Sequence, residues 1–195
     1  MRLLVMSFVC AAVAAASAAA GPESAQRRKG HTAPETFSAQ MQARTEVGAA
    51  AASILMQIDR YTPEDDRKTM TDALRQGGYP GFLAALRKAK VVGHVAIGDL
   101  QVPLRWAREE ETPKGRAISL VTDTPLYFVG GGRTDAKPRA GFEVAILQLA
   151  VDEFGLGTGT MAAAARIKPD GQGGVLMEDY AEEPIRLTGV YRIIK

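Results

Sequence analysis

Val91-Val92-Gly93-His94-Val95-Ala96-Ile97-Gly98-Asp99-Leu100-Gln101-Val102-Pro103-Leu104-Arg105-Trp106-Ala107-Arg108 decides the fold. Val91–Ile97 and Leu100–Arg108 each alternate with a period of two, and Gly98-Asp99 between them has the chemistry of a tight two-residue turn, so the stretch reads as a β-hairpin. Leu100, Val102, Leu104 and Trp106 form the dry face of its second strand. Pro103 has no N–H to give a ladder, which pushes that strand toward a sheet edge or a bulge.

The same period continues on both sides. Phe37, Ala39, Met41 and Ala43 alternate with Ser38, Gln40, Gln42 and Arg44, a strand with one wet face. Ser53–Tyr61 is ambiguous, since its preceding alanines favour helix, but its length and the strand before Gly48 favour a paired second strand. Thr62-Pro63-Glu64-Asp65 then presents a helix start: a capping side chain, proline at the first helical position, and acids at the positive helix end. That helix places Met70, Ala73 and Leu74 on one face and stops at Gly77-Gly78. A second begins near Pro80, buries Phe82, Leu83 and Leu86, and ends around Ala89. Beyond the hairpin, strands are expected over Arg116–Thr122, Leu126–Val129, Phe142–Val151, Thr158–Ile167, Val175–Tyr180 and Ile185–Ile194, with a loop from Gly130 to Ala140 and a turn at Asp170–Gly174. The expected fold is therefore α+β: an antiparallel sheet, sandwich or partly closed barrel of about seven to nine strands, with one αα-hairpin over about 63–89 packed on it.

Only part of the 195 residues enters this domain. Met1-Arg2 is a short positive start, Leu3–Ala16 is apolar or small, and Ala18 and Ala20 fit the small-x-small rule for cleavage before Gly21, with cleavage before Ala19 as the near alternative. Residues 1–20 read as a signal peptide, 21–35 as a flexible lead-in, and 36–195 as a single β-rich domain. N-terminal sequencing of the mature protein is expected to begin at Gly21; a start at Met1 would overturn the export reading. Cys10 is the chain's single cysteine and leaves with the signal, so no disulfide is expected to hold a protein bound for the periplasm or exterior. The remaining 23 basic and 22 acidic residues nearly balance (Arg2 removed from 24), which gives no footprint for nucleic acid. No integral membrane segment is expected after processing.

Chemistry is sparse. His31 and His94 are the two histidines, which argues against a triad or a zinc site, and no cofactor or metal is expected. Gly155-Leu156-Gly157-Thr158-Gly159 superficially suits a phosphate turn, but Thr160 stands where a further glycine belongs and Asp152 and Glu153 would repel phosphate, so it reads as a glycine-rich hairpin. Gly130–Asp135 has Arg133 where a calcium turn needs glycine, and it occurs once. Asp123, Glu143, Asp152, Glu178 and Asp179 leave carboxylate chemistry open. Asp123 in the Thr122-Asp123-Thr124-Pro125 turn, Trp106 with Arg108 on its side of the strand, and Glu178 are the candidate ligand-binding residues. Together these features suggest an exported, non-enzymatic binding or interaction domain with a protein or small-molecule partner in the cell envelope. The alternatives are a carboxylate-dependent hydrolase of envelope polysaccharide and a carrier of a small apolar ligand.

Overall fold

The computed structural model describes residues 33–45, 48–127, 139–171, 174–180 and 183–194. Residues 1–20, most of the expected lead-in and the Gly130–Asp135 motif lie outside them. In chain order the elements are β1 (Glu35–Thr45), β2 (Gly48–Ile58), α1 (Glu64–Lys88), β3 (Gly93–Ile97), β4 (Leu100–Thr112), β5 (Gly115–Thr122), β6 (Val144–Val151), β7 (Leu156–Pro169), β8 (Val175–Tyr180) and β9 (Ile185–Ile193). The second strand is the paired one that the sequence favours, running from Glu35 opposite Ile58 to Thr45 opposite Gly48. Glu35, read as the end of the lead-in, is instead the first residue of β1.

Neighbouring strands pair antiparallel from β1 through β7, β7 pairs with β9, and β9 returns to β1. Those contacts close eight strands into a barrel. β8 stands outside the circuit, paired with the far half of β7. The molecule is thus a closed antiparallel barrel with one helical element, more fully closed than the sheet, sandwich or partial barrel expected. An eight-stranded barrel encloses just enough room for side chains, and here Phe37, Met41, Ile54, Met56, Leu104, Ile118, Leu120 and Leu187 pack its interior.

A β-bulge decides which side of β4 is dry. Leu104 pairs with Thr122 and Trp106 with Val121, so one extra residue sits on β4 between them. A one-residue insertion inverts every side chain beyond it. Val102 and Leu104 accordingly point into the barrel, whereas Trp106 points outward and Ala107 takes the inward position. The expected common face of Leu100, Val102, Leu104 and Trp106 is therefore divided, and Leu100 is exposed.

The outward Trp106 is covered by α1. Met70, Leu74, Phe82, Leu83 and Leu86 pack with Trp106, Val121, Val144, Ile146, Ala162 and Ala165 as a second core on the outer wall of the barrel. α1 comprises two helical arms joined at Gly78, whose φ of 60° and ψ of −160° are non-helical, so the chain breaks where the sequence predicts its first helix to stop. Glycine tolerates that conformation without the steric penalty of a Cβ. The chain folds so sharply there that a Cβ on Gly81 would lie 2.6 Å from the carbonyl oxygen of Ala73. In a straight helix residues eight apart are about 12 Å apart along the axis. The two arms of α1 therefore approach one another closely beside the break.

Hydrogen bonds at its entry, its bend and its exit fasten α1 to the barrel. At its entry the Thr62 N–H donates to Ala107 O at 2.8 Å and Thr62 Oγ1 accepts from Ala107 N at 2.9 Å. Thr62 is thereby engaged with β4, and Pro63 holds the cap position with no side-chain cap, contrary to the capping role expected of Thr62. At the bend the Glu143 N–H donates to Tyr79 Oη at 2.8 Å. At the exit Arg105 Nη1 donates to Ala89 O at 2.9 Å.

The later strands depart from expectation mainly at their ends. Leu126 is buried and its N–H donates to Ala163 O, but it lies in no strand, and residues 128–129 of that expected element are outside the described set. Gly155–Gly159 is a hairpin: Asp152–Gly155 turns the chain and Leu156 opens β7. A register shift between Ala162 and Ala165 interrupts the alternation of the alanines that follow, so both lie beneath α1 while Ala163 faces the interior.

Candidate functional site

The residues singled out in the sequence occupy distinct settings. Asp123 pairs with Arg105, Oδ2 to Nε at 2.9 Å, and that arginine also holds the exit of α1. Trp106 is fully buried, its ring 6.5 Å from that of Phe82 and tilted 54° to it, and its Nε1 has no hydrogen-bond partner. Arg108 bonds Asp170 at 3.0 Å and also pairs with Glu110, tying the β7–β8 turn to β4. Glu178 is exposed on β8, at the bulge opposite Arg166 and Ile167. None of the four lines the cleft described next.

That cleft lies in α1, with a volume of about 520 Å³. Asp66, Thr69 and Met70 of the first arm form one side, and Gly81, Ala84, Ala85 and Lys88 of the second form the other, with Ala89 and Lys90 at its exit. Its origin is local. The Gly78 break turns the arms together, Gly81 lets them touch, and alanines along the second arm leave space that longer side chains would fill. Met70 is buried at the base, whereas Asp66, Lys88 and Lys90 are exposed at the rim. The result is a small apolar floor with charges of both signs above it.

A second polar assembly closes the barrel mouth where β1 and β5 begin and β9 ends. The Arg116 guanidinium donates to both Glu35 oxygens at 2.8 and 2.7 Å and to Glu109 Oε2 at 2.8 Å. Tyr61 Oη donates to Glu35 Oε1 at 2.5 Å, and Arg192 lies 3.8 Å from the same carboxylate. The Arg116 and Glu35 side chains are only 6% and 5% exposed. Burial pushes the Glu35 carboxyl up, but hydrogen bonds from Arg116 and Tyr61 and the two arginine charges outweigh it and hold the pKa below its ordinary value. Burial and the neighbouring Glu35 push the Tyr61 hydroxyl far up. Two arginines offset two carboxylates and the tyrosine stays protonated, so the cluster is charge-balanced, with Arg116 Nε buried and without a hydrogen-bond partner among the described residues. Its chemistry is that of a clasp between β1, β4, β5 and β9.

The sequence reading missed Asp66, Lys88 and Lys90 because each charge has an ordinary explanation at a helix end. The available signal was Gly77-Gly78 followed by Gly81 and Ala84-Ala85, a break flanked by small residues that lets two arms meet. Among the described residues there is no group of three or more metal-ligating side chains, and no helix is long and apolar enough to cross a membrane. No family model, curated protein or solved structure matches the chain.

Proposed function

We propose that this chain is an exported, non-enzymatic binding domain that acts in the periplasm or outside the cell, with the α1 cleft as its ligand seat. The observation that carries the reading is the cleft itself. Its volume of about 520 Å³ falls within the range of small-molecule sites, and an apolar floor with a few charged groups is the composition such sites have. Export rests on the character of residues 1–20. Four of the five acids considered for hydrolysis have local duties: Asp123 pairs with Arg105, Glu143 accepts from Gly141 N, Asp152 from Phe154 N and Leu156 N, and Asp179 from Tyr180 N. That occupation supports a binding role over carboxylate catalysis. The packed barrel interior likewise favours a ligand seat on α1 over a carrier cavity inside the barrel.

The test is a titration of ¹⁵N-labelled protein with a library of small apolar and amphiphilic fragments. Chemical-shift changes are expected to concentrate in residues 66–70 and 81–90. Ala84→Phe, at an exposed lining position, is expected to fill the seat and abolish those changes while leaving the rest of the spectrum in place. Shifts scattered over the surface, or unaffected by the phenylalanine, would sink the assignment.

A further inference from the structure

The charges on the rim of the cleft have a definite arrangement. Gly81 touches Ala73, and Asp66 and Lys88 each lie about two helical turns, or about 10 Å along an arm, from that contact. Both therefore line the cleft at its end away from the Gly81–Ala73 approach, and Lys90, two residues past Lys88, lines it too. Among the described residues, Asp66, Lys88 and Lys90 form no ion pair with one another or with another side chain. Their signs suit the two ends of α1, with an acid in its first turn and a base in its last. Helix ends alone, however, do not require opposite charges, unpaired among the described residues, to line one cleft with Met70 at its base and Ala84 and Ala85 on its side.

We infer that the cleft seats a free amino acid with an apolar side chain. Asp66 receives the α-ammonium, Lys88 and Lys90 receive the α-carboxylate, and the side chain extends toward Gly81 over Met70 and the two alanines. A free amino acid carries both charges on one carbon, which matches opposite charges at the same end of the cleft. A peptide separates its terminal charges by its own length. A fatty-acid carboxylate would suit the lysines but leave Asp66 unanswered and repelling.

This inference rests on the cleft being a ligand seat, and the experiment separates the two. The full chain is titrated with L-leucine, N-acetyl-L-leucine, L-leucinamide and hexanoate, with amide shifts of residues 66–90 as the readout. L-Leucine is expected to bind, and removal of either charge should weaken binding about fivefold, the scale of one exposed ion pair. Asp66→Asn should abolish the preference over N-acetyl-leucine, and the Lys88→Gln/Lys90→Gln double variant the preference over leucinamide. All three positions are exposed, so the variants retain the fold. Equal binding of all four compounds would overturn the inference and leave an apolar seat standing. L-Leucine silent where fragments bind would have the same meaning. Silence from the fragments as well would remove both readings.

Discussion

Replacing Arg116 with alanine is expected to lower the stability of the barrel by about 3–5 kcal/mol, the cost of stranding a buried charge. The side chain gathers groups far apart in the chain. Glu35 opens β1, Tyr61 follows β2, Glu109 lies on β4, and the Phe37 ring is 5.6 Å from the guanidinium. Alanine would leave Glu35, 5% exposed, with Tyr61 and the more distant Arg192 as its remaining partners. Arg116→Lys is expected to recover only part of the loss, because an ammonium cannot reproduce the two-pronged contact with Glu35. Replacing both Arg116 and Glu35 with leucine should cost less than Arg116→Ala alone, since neither buried charge is then left without its partner. Urea unfolding midpoints at constant slope measure each step; a loss below about 1 kcal/mol for the alanine variant would show that the cluster is hydrated and not a clasp.

The same cluster predicts the acid limb of stability. The Glu35 pKa is lowered in the folded protein. Its contribution is therefore complete above the ordinary glutamate value of about 4.3 and disappears as the pH falls through the folded value. Tyr61 acts at the other limb. Its pKa is raised, so its contribution is present below the ordinary value of about 10 and is lost as the pH rises beyond it. In Arg116→Ala the acid limb should flatten, because the group that most favours the ionised Glu35 is gone.

Trp106→Ala is expected to cost about 3–5 kcal/mol, in the range for emptying a buried aromatic site. The indole is fully buried and joins Phe82 and Leu86 of α1 to Val121 and Ile146 of the barrel wall. Its removal opens a void where the helix docks, so the arms should loosen and ligand-induced shifts in the α1 cleft should weaken with stability. Trp106→Phe separates the causes. It keeps an aromatic ring and removes an Nε1–H that is buried without a partner, a group whose burial itself costs about 1–3 kcal/mol. The phenylalanine variant should therefore lose far less than the alanine variant. Because Trp106 is the chain's single tryptophan, its fluorescence reports unfolding of this layer directly in the wild type. A Trp106→Ala variant of near-wild-type stability would mean that α1 docks without it.

Local physics fixes those parts of the fold whose determinants lie within a few residues of one another. The Gly98-Asp99 turn, the two strands beside it and the β1–β2 pair follow from alternation and turn chemistry, which act within a few residues. Thr62 shows the limit. Its type and place suit a helix cap, yet Ala107, brought beside it by β4, takes its hydroxyl. Trp106 shows the same limit across a strand, because alternation assigns it to the face of Leu104 and a single extra residue moves it to the opposite one. Asp123 and Arg108 were visible as polar residues near a strand, but not the arginine and aspartate, Arg105 and Asp170, that each would meet.

From its sequence alone this protein is a β-rich chain with turns at glycine-marked positions, a helical segment opening at Thr62-Pro63 and broken at Gly77-Gly78, and little histidine or cysteine for catalysis. These properties are set by neighbours along the chain: backbone conformation, side-chain period and composition. Tertiary structure alone decided that the sheet closes through β6 and β7, that Trp106 lies outside the barrel, that Glu35 meets Arg116 across 81 positions, and that Asp66 shares a cleft with Lys88. Each depends on which distant groups become neighbours. A buried charge or an open cleft acquires its meaning from the groups across from it, and the linear order of residues does not specify that distance.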